Sequence, residues 1–281
     1  MILFKRSEDL RQWVLEQKTK GKITGFVPTL GALHEGHMQL INACRSMVDQ
    51  TICSIFVNPV QFNDPKDFEK YPVSIEQDIQ MLHHAGTDVV FLPSVEDIYP
   101  QGQTGLETYN LGPLETLLEG RFRPGHFQGV SQVMSRLLKL VQPDHLFMGQ
   151  KDFQQCLVVQ RLIGIMHLPV QFHTVPTVRE DDGLAKSSRN RRLTAEQRKN
   201  AVAISQVLNE IRSKLSSGDA RELLKQAQEK LDAARFKTEY ISIARASDLQ
   251  PITEWNGKEK AVALIAAFQG DVRLIDNMLL N

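Results

Sequence analysis

From about residue 20 to residue 176, short apolar runs alternate with longer stretches whose apolar residues recur every three or four positions. KITGFVP (22–28), TICSIFV (51–57), TDVVFLP (87–93), DHLFMG (144–149) and VQFHTVP (170–176) are short and often β-branched or aromatic, so each predicts a strand. HMQLINACRSMV (37–48), SIEQDIQMLHHAG (74–86), GVSQVMSRLLKLV (129–141) and FQQCLVVQRLIGIMH (153–167) predict helices with an apolar stripe turned to a sheet. Crossovers of this length join parallel strands. Five strands followed by a change of pattern are too few for eight βα units. The expectation is an open, doubly wound α/β sheet, with chemistry in the loops beyond the carboxyl ends of its strands.

The pattern changes after REDDGLAKSSRNRRL (179–193). TAEQRKNAVAISQVLNEIRSKLSSGD and ARELLKQAQEKLDAARF predict two amphipathic helices, the first opened by Thr194. KTEYISIARA, EKAVALIAAFQG and DVRLIDNML predict a few strands. The expected division is a larger domain over residues 1–180 and a smaller α+β domain over 181–281.

Composition narrows the partners. With 33 basic and 33 acidic side chains in 281 residues the formal net charge is zero, so nothing global points to nucleic acid or membrane. No apolar run reaches the length of a membrane span, and MILFKRSEDLRQWV lacks the apolar core of a signal peptide, so a cytoplasmic protein is expected. Cys44, Cys53 and Cys156 form no C-x-x-C pair and read as buried free thiols.

Candidate chemistry collects just after the predicted strands. In FVPTLGALHEGH (26–37), a strand, two glycines and a helix start near His34 to His37 offer backbone N–H groups and a dipole end to an anion. The histidines are three apart rather than the four of H-E-x-x-H, which disfavours zinc; two polar residues at a helix cap is the plainer alternative. FVNPVQFNDPKDFEKYP (56–72) carries Asn58 and Gln61, suited to a substrate hydroxyl or carboxylate or simply turn formers, in a loop with the makings of a lid. GRFRPGHFQGV (120–130) gathers Arg121, Arg123 and His126, an anion cluster or a solvated basic turn. FMGQKDFQQ (147–155) sets Lys151 and Gln155 on one helical face, and KSSRN (186–190) has the makings of a phosphate clamp. Together these stretches point to a phosphorylated ligand bound between two domains.

The ordered set FVPTLGALHEGH, IFVNPVQF, RPGHFQGV, GQKDFQQ and SSRN, closing with DVRLIDN, resembles the pantothenate synthetase (pantoate–β-alanine ligase) family over nearly the whole chain. That family lies among nucleotidyltransferases with a HIGH-type signature, matched by His34 to His37, and a KMSKS-type signature, matched by KSSRN. The resemblance implies a Rossmann-like first domain, a second domain closing over the site, and a homodimer. It implies that ATP and pantoate give pantoyl adenylate and pyrophosphate, that β-alanine then displaces AMP, and that Mg²⁺ takes part. Carried over by motif, it implies ATP contacts from Leu30, Gly31, Ala32, Leu33, His34, Glu35, Gly36 and His37, from Gly149, Gln150, Lys151 and Asp152, from Val178, and from Lys186, Ser187, Ser188 and Arg189. It implies pantoate contacts from Gln61 and Gln155, with Asn58 and Arg123 lining the pocket, and catalytic roles for His37, His34 and Lys151, with His37 as proton donor. Leu30 and Lys186 stand where the family commonly has methionine. Another nucleotidyltransferase of the superfamily, or a non-enzymatic adenine-nucleotide-binding module, is the alternative.

Overall fold

The computed structural model describes residues 1–62, 68, 69 and 71–281. Six parallel strands form the central sheet: β1 (Ile2–Phe4), β2 (Thr24–Thr29), β3 (Gln50–Ile55), β4 (Val89–Phe91), β5 (His145–Gly149) and β6 (Gln171–Val175). Their spatial order is β1-β4-β3-β2-β5-β6. From β2 the chain winds one way to β3 and β4, then crosses back to β5 and β6. The direction reverses between β2 and β5, where an open α/β sheet leaves a crevice at its carboxyl edge.

The expected central strands are present, with β4 trimmed to Val89–Phe91. Strand β1 and the helix Ser7–Thr19, which the apolar pattern does not single out, complete the sheet edge. The helix following the RPGH turn begins at His126, one turn earlier than expected, because Gly125 supplies a left-handed residue (φ 81°) that redirects the chain into it. All three cysteines are buried and free, and burial raises their thiols, Cys44 to about 11.

The C-terminal part contains a two-stranded ladder, β7 (Gly218–Asp219) with β9 (Glu254–Trp255), and an antiparallel sheet of β8 (Lys237–Arg245), β10 (Ala261–Gln269) and β11 (Val272–Leu279). Thr194 opens its first helix through a capping box with Gln197. The single long helix expected there is two, Ala195–Ala201 and Ala203–Lys214. Val202 between them keeps α-helical dihedrals, so the chain bends without stopping. The position 180/181 lies inside a hairpin in which Arg179 and Ala185 pair.

The middle strand of this sheet is buried on both faces. Ala261, Ala263, Ile265 and Ala267 pack with Ile204, Leu208 and Leu231 in the C-terminal core, while Val262 and Leu264 belong to the main core. A second seam is charged. Glu119 is 7% exposed and accepts two bonds from Arg273 (2.7 and 2.9 Å) and one from Tyr240 (2.7 Å). Burial works against its charge, but the Arg273 bonds outweigh it and hold the carboxyl at about 2.

Candidate functional site

A cleft of about 210 Å³ opens at the carboxyl ends of β2 and β5. It brings together Leu30, His34, Gly36, His37, Asn58, Gln61, Gly149, Lys151, Asp152, Gln155, Val178, Lys186, Ser187, Ser188 and Arg189 from stretches far apart in sequence. Gly31, Ala32, Leu33, Glu35, Gln150 and Arg123 lie outside its lining. Arg123 borders a neighbouring cavity of about 720 Å³ that shares Lys151, Asp152, Ser187 and Arg189 with the cleft.

The glycine turn after β2 is built for another purpose than its sequence suggests. Gly31 (φ 82°) and Ala32 (φ 50°) turn the backbone so that the amides of Ala32 and Leu33 both donate to the buried carboxylate of Asp78, each at 2.8 Å. Ser74 donates to the same carboxylate at 3.0 Å. The amides of Ala32 and Leu33 are therefore already bonded within the chain.

The helix Glu35–Arg45 that follows is capped by the two histidines. His34 Nδ1 accepts from the Gly36 amide (3.1 Å), and His37 Nδ1 accepts from the His34 amide (3.2 Å). The His37 amide bonds the His34 carbonyl (2.8 Å). The expectation of free N–H groups at Gly36 and His37 is thus corrected: imidazoles and turn bonds use them. With Nδ1 accepting, each neutral ring carries its proton on Nε2. Burial and then the Lys151 charge hold His34 down to about 4; burial, then His34, hold His37 down to about 3. His37 is therefore a neutral hydrogen-bond donor near pH 7 rather than a cationic acid.

Opposite lies an uncharged wall. Asn58, 1% exposed, donates from Nδ2 to Gln61 Oε1 and to the Gly129 carbonyl, both at 3.3 Å, and accepts from Tyr99 (2.8 Å). Asn58 thereby fixes Gln61 by its oxygen, and among the described residues the Gln61 NH₂ makes no bond. A Cβ on Gly129 would lie 2.4 Å from the Val60 carbonyl, so only glycine allows the helix His126–Val141 to approach this turn. Among the described residues, no bond is made by the side-chain amide of Gln155 or the ammonium of Lys151, and Thr177 Oγ1 is buried in the lining without a partner.

The remaining wall is cationic. Ser187 caps the short turn Ser188–Arg192 by accepting from the Arg189 amide, and the Arg189 guanidinium lies 5.9 Å from the Tyr71 ring. Lys186 is paired with Glu35 and, at 3.6 Å, Glu180, so its charge is already balanced. Asn277 of β11 donates to the Gln150 and Lys151 carbonyls (both 2.9 Å), and Arg179 grips Asp276 with two bonds (2.6 and 3.1 Å). The C-terminal sheet therefore holds the loop that carries Lys151.

Residues 63–67 and 70 lie outside the described residues, and with them most of the expected lid at 62–72. Asp78, Tyr99, Thr177 and the Asn277 clamp were missed by sequence reasoning. Asp78 stands 46 residues from Ala32, and no local signal marks it.

The Pantoate-beta-alanine ligase family model matches residues 2–279. The chain belongs to this family. Pantothenate synthetase of Bacteroides thetaiotaomicron is 42% identical over 272 residues, 96% of each chain. That of Porphyromonas gingivalis is 40% identical over 279 residues, 99% of each. The crystal structure of pantothenate synthetase from Thermus thermophilus superposes with a TM-score of 0.91 at 39% identity, covering 100% of this chain and 99% of that one. Pantoate-beta-alanine ligase from Francisella tularensis, solved in complex with beta-gamma ATP and beta-alanine, gives 0.84 at 34% identity over 100% and 98%. Membership makes the chain a ligase, and a doubly wound sheet with a smaller C-terminal unit is the fold of these neighbours.

Proposed function

We propose that this cleft joins pantoate to β-alanine at the expense of ATP, through a pantoyl adenylate, with the residues assigned as follows. The pantoate carboxylate rests against the NH₂ groups of Gln61 and Gln155. One carboxylate oxygen attacks the α-phosphorus, the bond to the bridging oxygen of pyrophosphate breaks, and the acyl adenylate forms. The β-alanine amine then attacks the acyl carbon and gives up a proton to water, and AMP departs with the electron pair of the cleaved acyl–oxygen bond.

Negative charge grows on the α-phosphoryl oxygens and the leaving pyrophosphate. The Nε2–H groups of His34 and His37, the Lys151 ammonium, the Arg189 guanidinium and the hydroxyls of Ser187 and Ser188 supply donors for it. Neutral imidazoles suit this task, because a fixed N–H stabilises the charge without a proton changing hands. No enzyme nucleophile is required, so the protein contributes position and charge.

Magnesium fits this arrangement as an ion brought by the nucleotide. Such ions are held by phosphates, water and one or two carboxylates, and among the described residues Asp152 is the carboxylate in the cleft lining. When bound, it supplies further neutralisation of the phosphates. A cytoplasmic homodimer completes the proposal, to be checked by fractionation and sedimentation; no helix among the described residues is long and apolar enough to cross a membrane.

The observation that carries the assignment is the meeting in one cleft of two amides held free for a carboxylate with Lys151 and two neutral imidazoles. The test is AMP release with all three substrates and with each omitted in turn. Release should require all three, and pantoate-dependent ATP–pyrophosphate exchange should proceed without β-alanine. Exchange that needs β-alanine would remove the adenylate from the mechanism.

A further inference from the structure

His126 has no part in the chemistry above, yet it is buried 5% exposed at the first position of its helix, against the pantoate side of the cleft. Its Nδ1 lies 2.8 Å from the Gln61 carbonyl, an acceptor only, so Nδ1 carries the hydrogen. Its Nε2 lies 3.0 Å from Arg123 Nη1, a donor only, so Nε2 carries the lone pair. The two neighbours leave one tautomer of the neutral ring. Arg123 is steadied in turn by Glu119 at 3.7 Å, and Glu119 by Arg273 and Tyr240 of the C-terminal sheet.

We propose that His126 is a positioning residue for the acyl substrate: its Nδ1–H holds the main chain of Gln61, while Arg123, kept in place by Glu119, fixes the tautomer from the other side of the ring. The proposal rests on the reading of Gln61 as a pantoate ligand. Gln61 is then held at both ends, by Asn58 at its side-chain oxygen and by His126 at its carbonyl, with Gly129 letting the helix close on the turn. Burial, followed by the Arg123 charge, keeps His126 down to about 4, in keeping with a ring that stays neutral while the enzyme works.

Asparagine and glutamine separate the two ring nitrogens. An asparagine amide nitrogen falls near the place of Nδ1, and a glutamine amide nitrogen near that of Nε2. His126→Asn therefore keeps the donor to Gln61, whereas His126→Gln loses it and sets an amide against Arg123. Steady-state kinetics with pantoate and ATP varied separately should give His126→Asn a pantoate KM within about threefold of wild type. His126→Gln should raise that KM roughly tenfold, the scale of one lost hydrogen bond, with the ATP KM unchanged in both. Equal pantoate KM values for the two variants, or a matching rise in the ATP KM, would overturn the proposal. Gln61→Ala is the reference: if it leaves the pantoate KM unchanged the pocket reading itself fails, and if it raises that KM while Asn and Gln behave alike, only the role of His126 falls.

Discussion

The two walls of the cleft offer donors of opposite kinds. On the side of Asn58, Gln61 and Gln155 the side chains are uncharged amides, and the hydrogen bonds behind them run to the Tyr99 phenol, the Gly129 carbonyl and the neutral His126 ring. On the side of Lys151, Ser187 and Arg189 the donors are cations and hydroxyls. On the proposed assignment of pantoate to the first wall and ATP to the second, the difference follows from what each anion must do. A carboxylate about to act as a nucleophile must be oriented without having its electrons held by a fixed positive charge. A phosphate whose charge is still rising is stabilised most by a cation already in place. The histidines sit between the regimes, donors like the cations but uncharged like the amides.

The largest expected effect comes from the charged side. Lys151→Ala should lower pantoate-dependent ATP–pyrophosphate exchange by roughly 100- to 1,000-fold, the usual scale for one such donor. Near-normal exchange in that variant would abolish the contrast between the walls. The reverse experiment puts a charge on the neutral wall. Gln155→Glu sets a carboxylate against the substrate carboxylate, and like charges about 4 Å apart repel by about 4 kcal/mol at an effective dielectric of about 20. The pantoate KM should rise by roughly tenfold or more while the ATP KM holds; a rise in the ATP KM alone would move pantoate elsewhere.

The smallest effect concerns the histidines and is read as stability. Their folded pKa values, about 4 for His34 and about 3 for His37, lie below the usual value of 6.5. The unfolded chain therefore binds more protons than the folded one as pH falls below about 6.5. The stability due to keeping these rings neutral is complete above that pH and is lost towards pH 3 to 4. Melting temperature should decline over this range in wild type and decline less in His37→Gln. Identical slopes would mean that His37 titrates normally in the folded protein.

Much of this was legible in sequence, and the gaps have physical causes. Strands β2, β3 and β5 are read easily because they are almost wholly buried around short apolar cores such as Phe26–Val27, Ile52–Cys53 and Leu146–Met148, whereas β1 is three residues long with Ile2 and Leu3 exposed at a sheet edge. The candidate residues converge largely as their motifs suggest, Leu30, Lys186 and Val178 included. Sequence could not say which groups are already satisfied. The bonds that the Ala32 and Leu33 amides make to Asp78 are invisible because Asp78 is distant in the chain, and the pairing of Lys186 is invisible because Glu35 and Glu180 reach it only in the fold.

The strand β10 bears on how the protein is made. Val262 and Leu264 complete the main core from near the end of the chain. A nascent polypeptide leaving the ribosome amino end first thus has its six parallel strands and both cleft histidines in hand before β10 adds Val262 and Leu264 to the main core. A chain cut short before β10 would leave part of the main core open to water, the kind of apolar surface on which partly made chains aggregate.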